Sequence, residues 1–458
     1  MQRLLANIPT YTIFDDHDVS DDWNLNQDWC LRVLGKPLGR RVVRNAMLAY
    51  AVFQAWGNTP KQFEADGAGA ALLKAAQQWS KAKGNHPEAE GAIATYLGLP
   101  DNNTHTNLPE LVQDDNVWIL QRSPKSIKWH YTLRSACHEV IVLDTRTWRG
   151  YPMTKNKLAP PMLMSPTAFQ KQLVAPLTQS NSSKQDNHKK DGDEELEKPY
   201  ATFIVAPTNV FGMRVLDFIQ KWHLDRRKVF TADVGDSWNF HDGALAMLLT
   251  TLFRYRRNVV VLSGDIHYSS AINVDYQDLR SGQRSNLVQL TSSAIKNEEL
   301  LTRILHTRLK GWLLTDKPRQ WMGWDEPPDM TEVPRRLVNS PNAVKAIASS
   351  KHQDGNRSPD WSCRMRWLKR QPAQRVDTLQ TLSALVPPTA KPHPLVRWLQ
   401  FWRARWFQEG KDVVGVNNIA LVEVDIVPAH PLPEMTVTQS HYWFSPWTPT
   451  QVVRSRFE

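Results

Sequence analysis

Two short runs of this sequence carry residue types suited to a metal or acid–base centre. The first is Asp15-Asp16-His17-Asp18, followed by Asp21-Asp22-Trp23. Four adjacent ionisable groups repel one another unless a cation or a hydrogen-bond donor sits among them. A carboxylate beside an imidazole is an ordinary ligand pair for zinc, iron or a harder cation. The same run also reads as a solvated acidic loop that caps the next helix. The second run is Ser263-Gly264-Asp265-Ile266-His267-Tyr268. Gly264 allows a tight turn there. Asp265 and His267 alternate, so both face one site if the chain bends between them. Taken alone, His267 reads equally well as a hydrogen-bonded core histidine.

Strands must deliver both runs. Residues 10–14 (TYTIF) are β-branched and aromatic and predict a strand leading into the first run. Residues 258–262 (NVVVL) predict a buried strand ending at the second. Further strands are predicted at 117–120, 128–134, 139–143, 202–206, 271–274, 287–290 and 413–427. Residues 40–57 have apolar groups at helical spacing, with Val43, Met47, Leu48, Ala51, Phe53 and Trp56 as the core face, and Gly57 and Pro60 stop that helix. A second helix is predicted over 238–257, with Asp236 as its N-cap. Strands alternating with helices predict a layered α/β protein, in which ligands bind just beyond the carboxyl ends of strands. Two such loops on neighbouring strands would hold one or two cations. A site of that kind activates water and clamps phosphoryl oxygens in line, and leaves His17 free to protonate a leaving group.

The motifs, in order, resemble the PhoD-like metallophosphatases, the alkaline phosphatase D family. They are Ile8-Pro9-Thr10-Tyr11, Phe14-Asp15-Asp16-His17-Asp18, Asp21-Asp22-Trp23-Asn24, Phe53-Gln54-Ala55-Trp56-Gly57-Asn58, Leu143-Asp144-Thr145-Arg146, Leu262 to Tyr268 and Leu290-Thr291-Ser292-Ser293. The resemblance spans residues 1–60, 116–160 and 198–298, and omits 301–412. It implies the calcineurin-like metallophosphoesterase fold, a four-layer αββα sandwich. It implies phosphomonoester or phosphodiester hydrolysis by metal-activated water, with two divalent or trivalent ions such as calcium, iron, manganese or zinc. Asp16, Asp265 and His267 would be ligands and His17 the general acid. The family takes its other ligands from an early Asp or Cys and a Gly-Asp-x-x-x-Asp loop. Neither Gly192-Asp193 nor Gly235-Asp236 fits that loop. The sandwich is therefore expected to be N-terminally incomplete, with a missing segment encoded upstream or supplied by a second chain. The alternative is a non-catalytic remnant or interaction module that retains the fold.

Other residues are candidates to bind substrate or support the ligands. Asp15 and Asp18 flank the first run. Asp144 and Arg146 follow a buried strand, where Arg146 could pair with phosphate or with Asp144. Asn209 follows the strand at 202–206, as an amide ligand, an oxyanion donor or a turn residue.

Composition sets outer bounds. The chain has 458 residues, 41% hydrophobic, with 19 Trp and a net charge of +10, which excludes disordered, collagen-like and disulfide-dependent classes. Cys30, Cys137 and Cys363 form no CxxC pair. No signal peptide or apolar span is visible, so a cytoplasmic location is expected. The expected organisation is a core over 1–300, containing a helical insertion at 61–115 and a polar linker at 178–197. A basic insertion over 301–412 and a completing segment over 413–458 follow. The insertion holds 20 Lys and Arg against 10 Asp and Glu, and eight tryptophans. Within it, 395–407 (LVRWLQFWRARWF) reads as a helix packed on the domain or as a weak membrane-surface contact. No nucleic-acid motif is present.

Overall fold

The computed structural model describes residues 5–153, 161–182, 200–214, 236, 238, 241–293, 295, 298, 300–313, 317–338, 340, 347, 357–376, 408–427, 434–444 and 452–457. Its centre is a nine-stranded sheet. Four strands run parallel: β4 (His138–Val142), β6 (Ala201–Ala206), β7 (Asn258–Ser263) and β9 (Arg284–Thr291). Outside them, β3 (Tyr131–Arg134) pairs antiparallel on one edge. On the other lie β8 (Ser270–Asp278), β12 (Trp361–Trp367), β10 (Arg319–Asp325) and β11 (Pro328–Glu332). The spatial order is β11-β10-β12-β8-β9-β7-β6-β4-β3.

Strand β7 shows why the sheet is layered. Its Val259, Val260 and Val261 are all fully buried. Successive side chains of a strand point to opposite faces. Val259 and Val261 join Leu245, Leu248, Leu249 and Leu252 of the helix Asp242–Tyr255 in the main core. Val260 points the other way and meets Phe457, Met435 and Val437. These belong to a four-stranded antiparallel sheet, built from β13 (Gln374–Arg375), β14 (Ile419–Val427), β15 (Glu434–Phe444) and β16 (Val452–Phe457). Helices, large sheet and small sheet therefore stack in that order. Side chains buried on both faces of a parallel strand require this arrangement.

A second core lies under the N-terminal helices. These are α1 (Gln27–Leu34), α2 (Pro37–Tyr50), α3 (Ala68–Lys81) and α4 (Pro87–Leu97); the helix Asp242–Tyr255 is α5. Phe14, Trp23, Trp29, Tyr50, Ile93 and Leu97 fill this core. A small sheet of β1 (Leu111–Asp114), β2 (Val117–Leu120) and β5 (Tyr151–Pro152) flanks it. Among the described residues, no helix is long and apolar enough to cross a membrane.

Several expectations change. Residues 10–14 form no strand and pair with none. Instead the Asn58 amide accepts from Thr12 N at 3.0 Å and donates to Thr12 O at 3.0 Å, so one side chain supplies the contacts a neighbouring strand would. The helix over 40–57 passes into a π-helical turn, Ala51–Ala55. The widened turn rotates the following residues off the α-helical face, and Phe53 is 84% exposed. Residues 178–182 finish a helical segment, Ala175–Ser182, while 183–199 lie outside the described residues. Within 301–412, the strands β10, β11 and β12 extend the core sheet beyond β8. Residues 395–407 lie outside the described residues.

Candidate metal centre

The first acidic run is a tight, internally bonded turn. Asp15 is extended, and Asp16–Asp18 forms a single 3-10 turn. Asp15 N donates to Asp18 Oδ2 at 3.0 Å. Asp16 is 5% exposed, and its two carboxylate oxygens accept from His17 N at 2.9 Å and Asp22 N at 3.1 Å. Left-handed backbone at Asp22 (φ 60°) and Asn24 (φ 55°) folds the chain back toward α1. The His17 side chain is 61% exposed, with Nε2 3.8 Å from Asp21 Oδ1.

The second run begins where β7 ends. Gly264 N donates to Pro207 O at 3.1 Å, and Ser263 and Thr291 share a hydroxyl contact of 2.9 Å. The unusual backbone falls on Asp265 (φ 68°) and His267 (φ 58°), not on Gly264. Two non-glycine residues held left-handed within three positions store conformational strain. The His267 amide is fixed by Ser293 Oγ at 3.0 Å.

These turns bring three donor groups together. Ligand atoms of Asp16, His17 and Asp265 all lie within 4.8 Å of one another. Donors about 2.0–2.6 Å from a shared ion must lie within about 5 Å of one another, so the set fits one cation. His267 lies in the same loop but outside this group of three.

Behind the donors sits Arg146, 1% exposed. It follows β4 in a turn fixed by Asp144, whose Oδ1 accepts from Arg146 N at 3.2 Å and Thr147 N at 2.8 Å. The Arg146 guanidinium pairs with Asp15, with Asp16 Oδ1 at 3.2 Å and with Asp236 Oδ2 at 2.5 Å. Arg149, also buried, holds the other Asp236 oxygen at 2.5 Å. Four carboxylates (Asp15, Asp16, Asp236, Asp265) thus face two guanidiniums.

The electrostatics follow from that imbalance. Burial pushes Asp15 up to about 6, Asp236 and Asp16 add to it, and Arg146 opposes it. Burial, then Asp15 and Asp236, raise Asp265 well above the carboxylate range. Burial acts on Asp236 too, but Arg146 and Arg149 together hold it below that range. Without a cation, the surplus of negative charge favours a proton on Asp265, and one on Asp15 only below about pH 6. A divalent ion would relieve the same excess.

The other expected residues have local tasks. Asp18 caps the Asp15 turn. Asp144 is 1% exposed and shapes the Arg146 turn. Asn209 is 4% exposed and donates to Phe211 O at 2.7 Å. Arg146 is spent on buried carboxylates and supports Asp16; it does not open toward a substrate. Asp236, read as an N-cap, is instead the partner of both arginines, and His241 caps α5 through Ala244 N at 3.3 Å. The sequence reading missed Arg149 and the pairing role of Asp236. The available signal was the spacing Arg146-x-x-Arg149 after a buried strand, since a buried guanidinium demands a carboxylate.

No family model matches the chain, and no curated protein matches it. Among solved structures, a structure of PhoD matches 61% of this chain and 38% of that chain, with 12% identity and a TM-score of 0.27. The chain therefore spans well under half the length of that protein. So loose a superposition carries no argument about fold or activity.

Proposed function

We propose that this chain is a metal-dependent phosphoesterase of the PhoD-like kind, built on a four-layer αββα sandwich; the packing of the helix Asp242–Tyr255, the large sheet and the small sheet supports that reading. The observation that supports the reading is the convergence of Asp16 and Asp265 carboxylates, with the His17 imidazole beside them, all within 4.8 Å of one another beyond the carboxyl end of β7. The surplus of buried carboxylates supports it, as does the order of the sequence motifs. Asp16 and Asp265 would hold the ion, and His267 on the same strained loop would serve a second one. Such an ion supplies Lewis-acid stabilisation of phosphoryl oxygens and lowers the pKa of water. Arg146 and Asp22 N keep the Asp16 carboxylate oriented. His17, the exposed member at the mouth, donates a proton from Nε2 to the departing alkoxide.

The test is metal content by mass spectrometry, with hydrolysis of p-nitrophenyl phosphate and bis-p-nitrophenyl phosphate. The His17→Ala variant should lose about 10²–10⁴-fold in turnover of an alkyl phosphate ester, and much less with the p-nitrophenyl esters, with metal content unchanged. Unchanged turnover of the alkyl ester removes His17 from the mechanism, and lost metal makes it a ligand instead. One observation favours a second reading, a non-catalytic protein that retains the fold. Arg146 already neutralises part of the cluster, as in a structural ion-pair network. Absence of tightly held metal after purification would decide for that reading.

A further inference from the structure

Strand β8 starts beside the Asp265 loop and ends at a different feature. Its nine residues, Ser270–Asp278, place the two ends about 27 Å apart. At the far end is a cavity of about 450 Å³ between α5, the β8–β9 turn and the end of β10. Its floor is an aromatic pair, Phe253 and Tyr276, stacked with ring centroids 4.3 Å apart. Tyr276 is 8% exposed, and its hydroxyl makes no hydrogen bond to a described residue. Beside it, Asp325 gives Oδ2 to Arg280, while its Oδ1 is buried with no partner. Asp325 N donates to Asp360 Oδ2 at 2.9 Å, which fixes the backbone that carries this carboxylate. The buried Asp325 Oδ1 lacks a donor, which is costly, and the Tyr276 hydroxyl is left without a described partner on the cavity wall. On the rim, Arg254 from the last turn of α5 is exposed and pairs with no described residue.

We propose that this cavity is a second binding site, for a small zwitterionic amine of amino-acid to dipeptide size that carries an apolar side chain. The ammonium donates to Tyr276 Oη and to the Asp325 carboxylate, the side chain lies on the Phe253–Tyr276 floor, and the carboxylate faces Arg254. A simple anion leaves Asp325 unsatisfied. A simple cation leaves Arg254 unused. Charged lining groups of both signs, Arg254, Arg280 and Arg357 against Asp278, Asp325 and Asp360 among others, match a ligand with both charges. The proposal is independent of the phosphoesterase reading.

Titration calorimetry on the full chain with three matched probes tests it: L-phenylalanine, phenethylamine and phenylpropionate. L-phenylalanine should bind one per chain. Phenethylamine should bind about tenfold more weakly, and phenylpropionate should give no heat. Tyr276→Phe should weaken L-phenylalanine about tenfold, with an unchanged far-ultraviolet spectrum. Asp325→Asn should do at least the same. Asp265→Asn, at the other end of β8, should bind as the parent does. The idea fails if no probe binds, if phenylpropionate matches L-phenylalanine, or if both cavity variants bind unchanged.

Discussion

The large sheet carries an arginine–carboxylate cluster at each end, and the two differ in burial. Beyond the carboxyl end of β7, Arg146 and Arg149 are 1% exposed or less and face four buried or half-buried carboxylates. At the far end of β8, the Arg280 side chain is 60% exposed as it pairs with Asp325 and Asp360. Water screens the second set and barely reaches the first. Similar residues therefore do different work. Buried, an excess of carboxylates demands protons or a metal. Half exposed, the same pairs rim a cavity and leave individual groups available to a small ligand.

The sharpest test of that contrast is removal of one arginine from each end. Arg146→Met strips the partner from buried Asp15, Asp16 and Asp236, and should cost about 3–5 kcal/mol in urea unfolding. Arg280→Ala should cost no more than about 1 kcal/mol. Equal losses would break the comparison.

A carboxylate removed from the excess should have the opposite effect. Asp265→Asn should lower cation affinity tenfold or more, read by calorimetry with manganese or calcium, because it deletes a charged ligand. Stability in chelator should not fall, since burial already holds the Asp265 carboxyl protonated. A large loss of metal-free stability would mean that the ionised group is needed for the fold.

The smallest effect is a difference in sign with pH. Asp15 is raised to about 6 in the fold from an unfolded value of 3.8. The folded state then binds the extra proton between these values. The stability from Asp15 is fully present below 3.8 and is lost as pH rises through about 6, on the order of 2–3 kcal/mol in chelator. Asp278, at the other end, is lowered: burial opposes, but the amides of Ser281 and Arg280 outweigh it. Its contribution is present above 3.8 and disappears only as pH falls through its folded value. Unfolding curves from pH 4 to 7 in chelator should flatten in Asp15→Asn and should be unaltered in that range by Asp278→Asn. An equal slope in parent and Asp15→Asn would remove Asp15 from the excess.

Much of the sheet was legible in the sequence. The Val-Val-Val-Leu run of β7 is apolar on both faces because both faces are covered, and such runs at β4 and β6 follow the same rule. Both loops of the candidate centre were visible as clusters of Asp and His. Residues 10–14 misled because β propensity describes a strand's suitability, and Asn58 satisfied that backbone without a sheet. The strands at 319–325, 328–332 and 361–367 were hidden under the basic, Trp-rich composition of their surroundings. Side chains such as Trp321 and Trp361 are core residues there, and Gly323 leaves room for the Trp361 ring on the neighbouring strand.

The sequence by itself determined that a buried strand would deliver Asp265 and His267 to its carboxyl end, because hydrophobic period and turn chemistry are local. Only the tertiary structure decided which carboxylates would share one low-dielectric space. Asp15, Arg146, Asp236 and Asp265 are far apart in the chain, and nothing local couples them. Their charge balance exists only once β4, β7 and the N-terminal turn are packed together. That balance, more than the presence of any one residue, sets how much positive charge the cluster favours, whether from protons or from a cation.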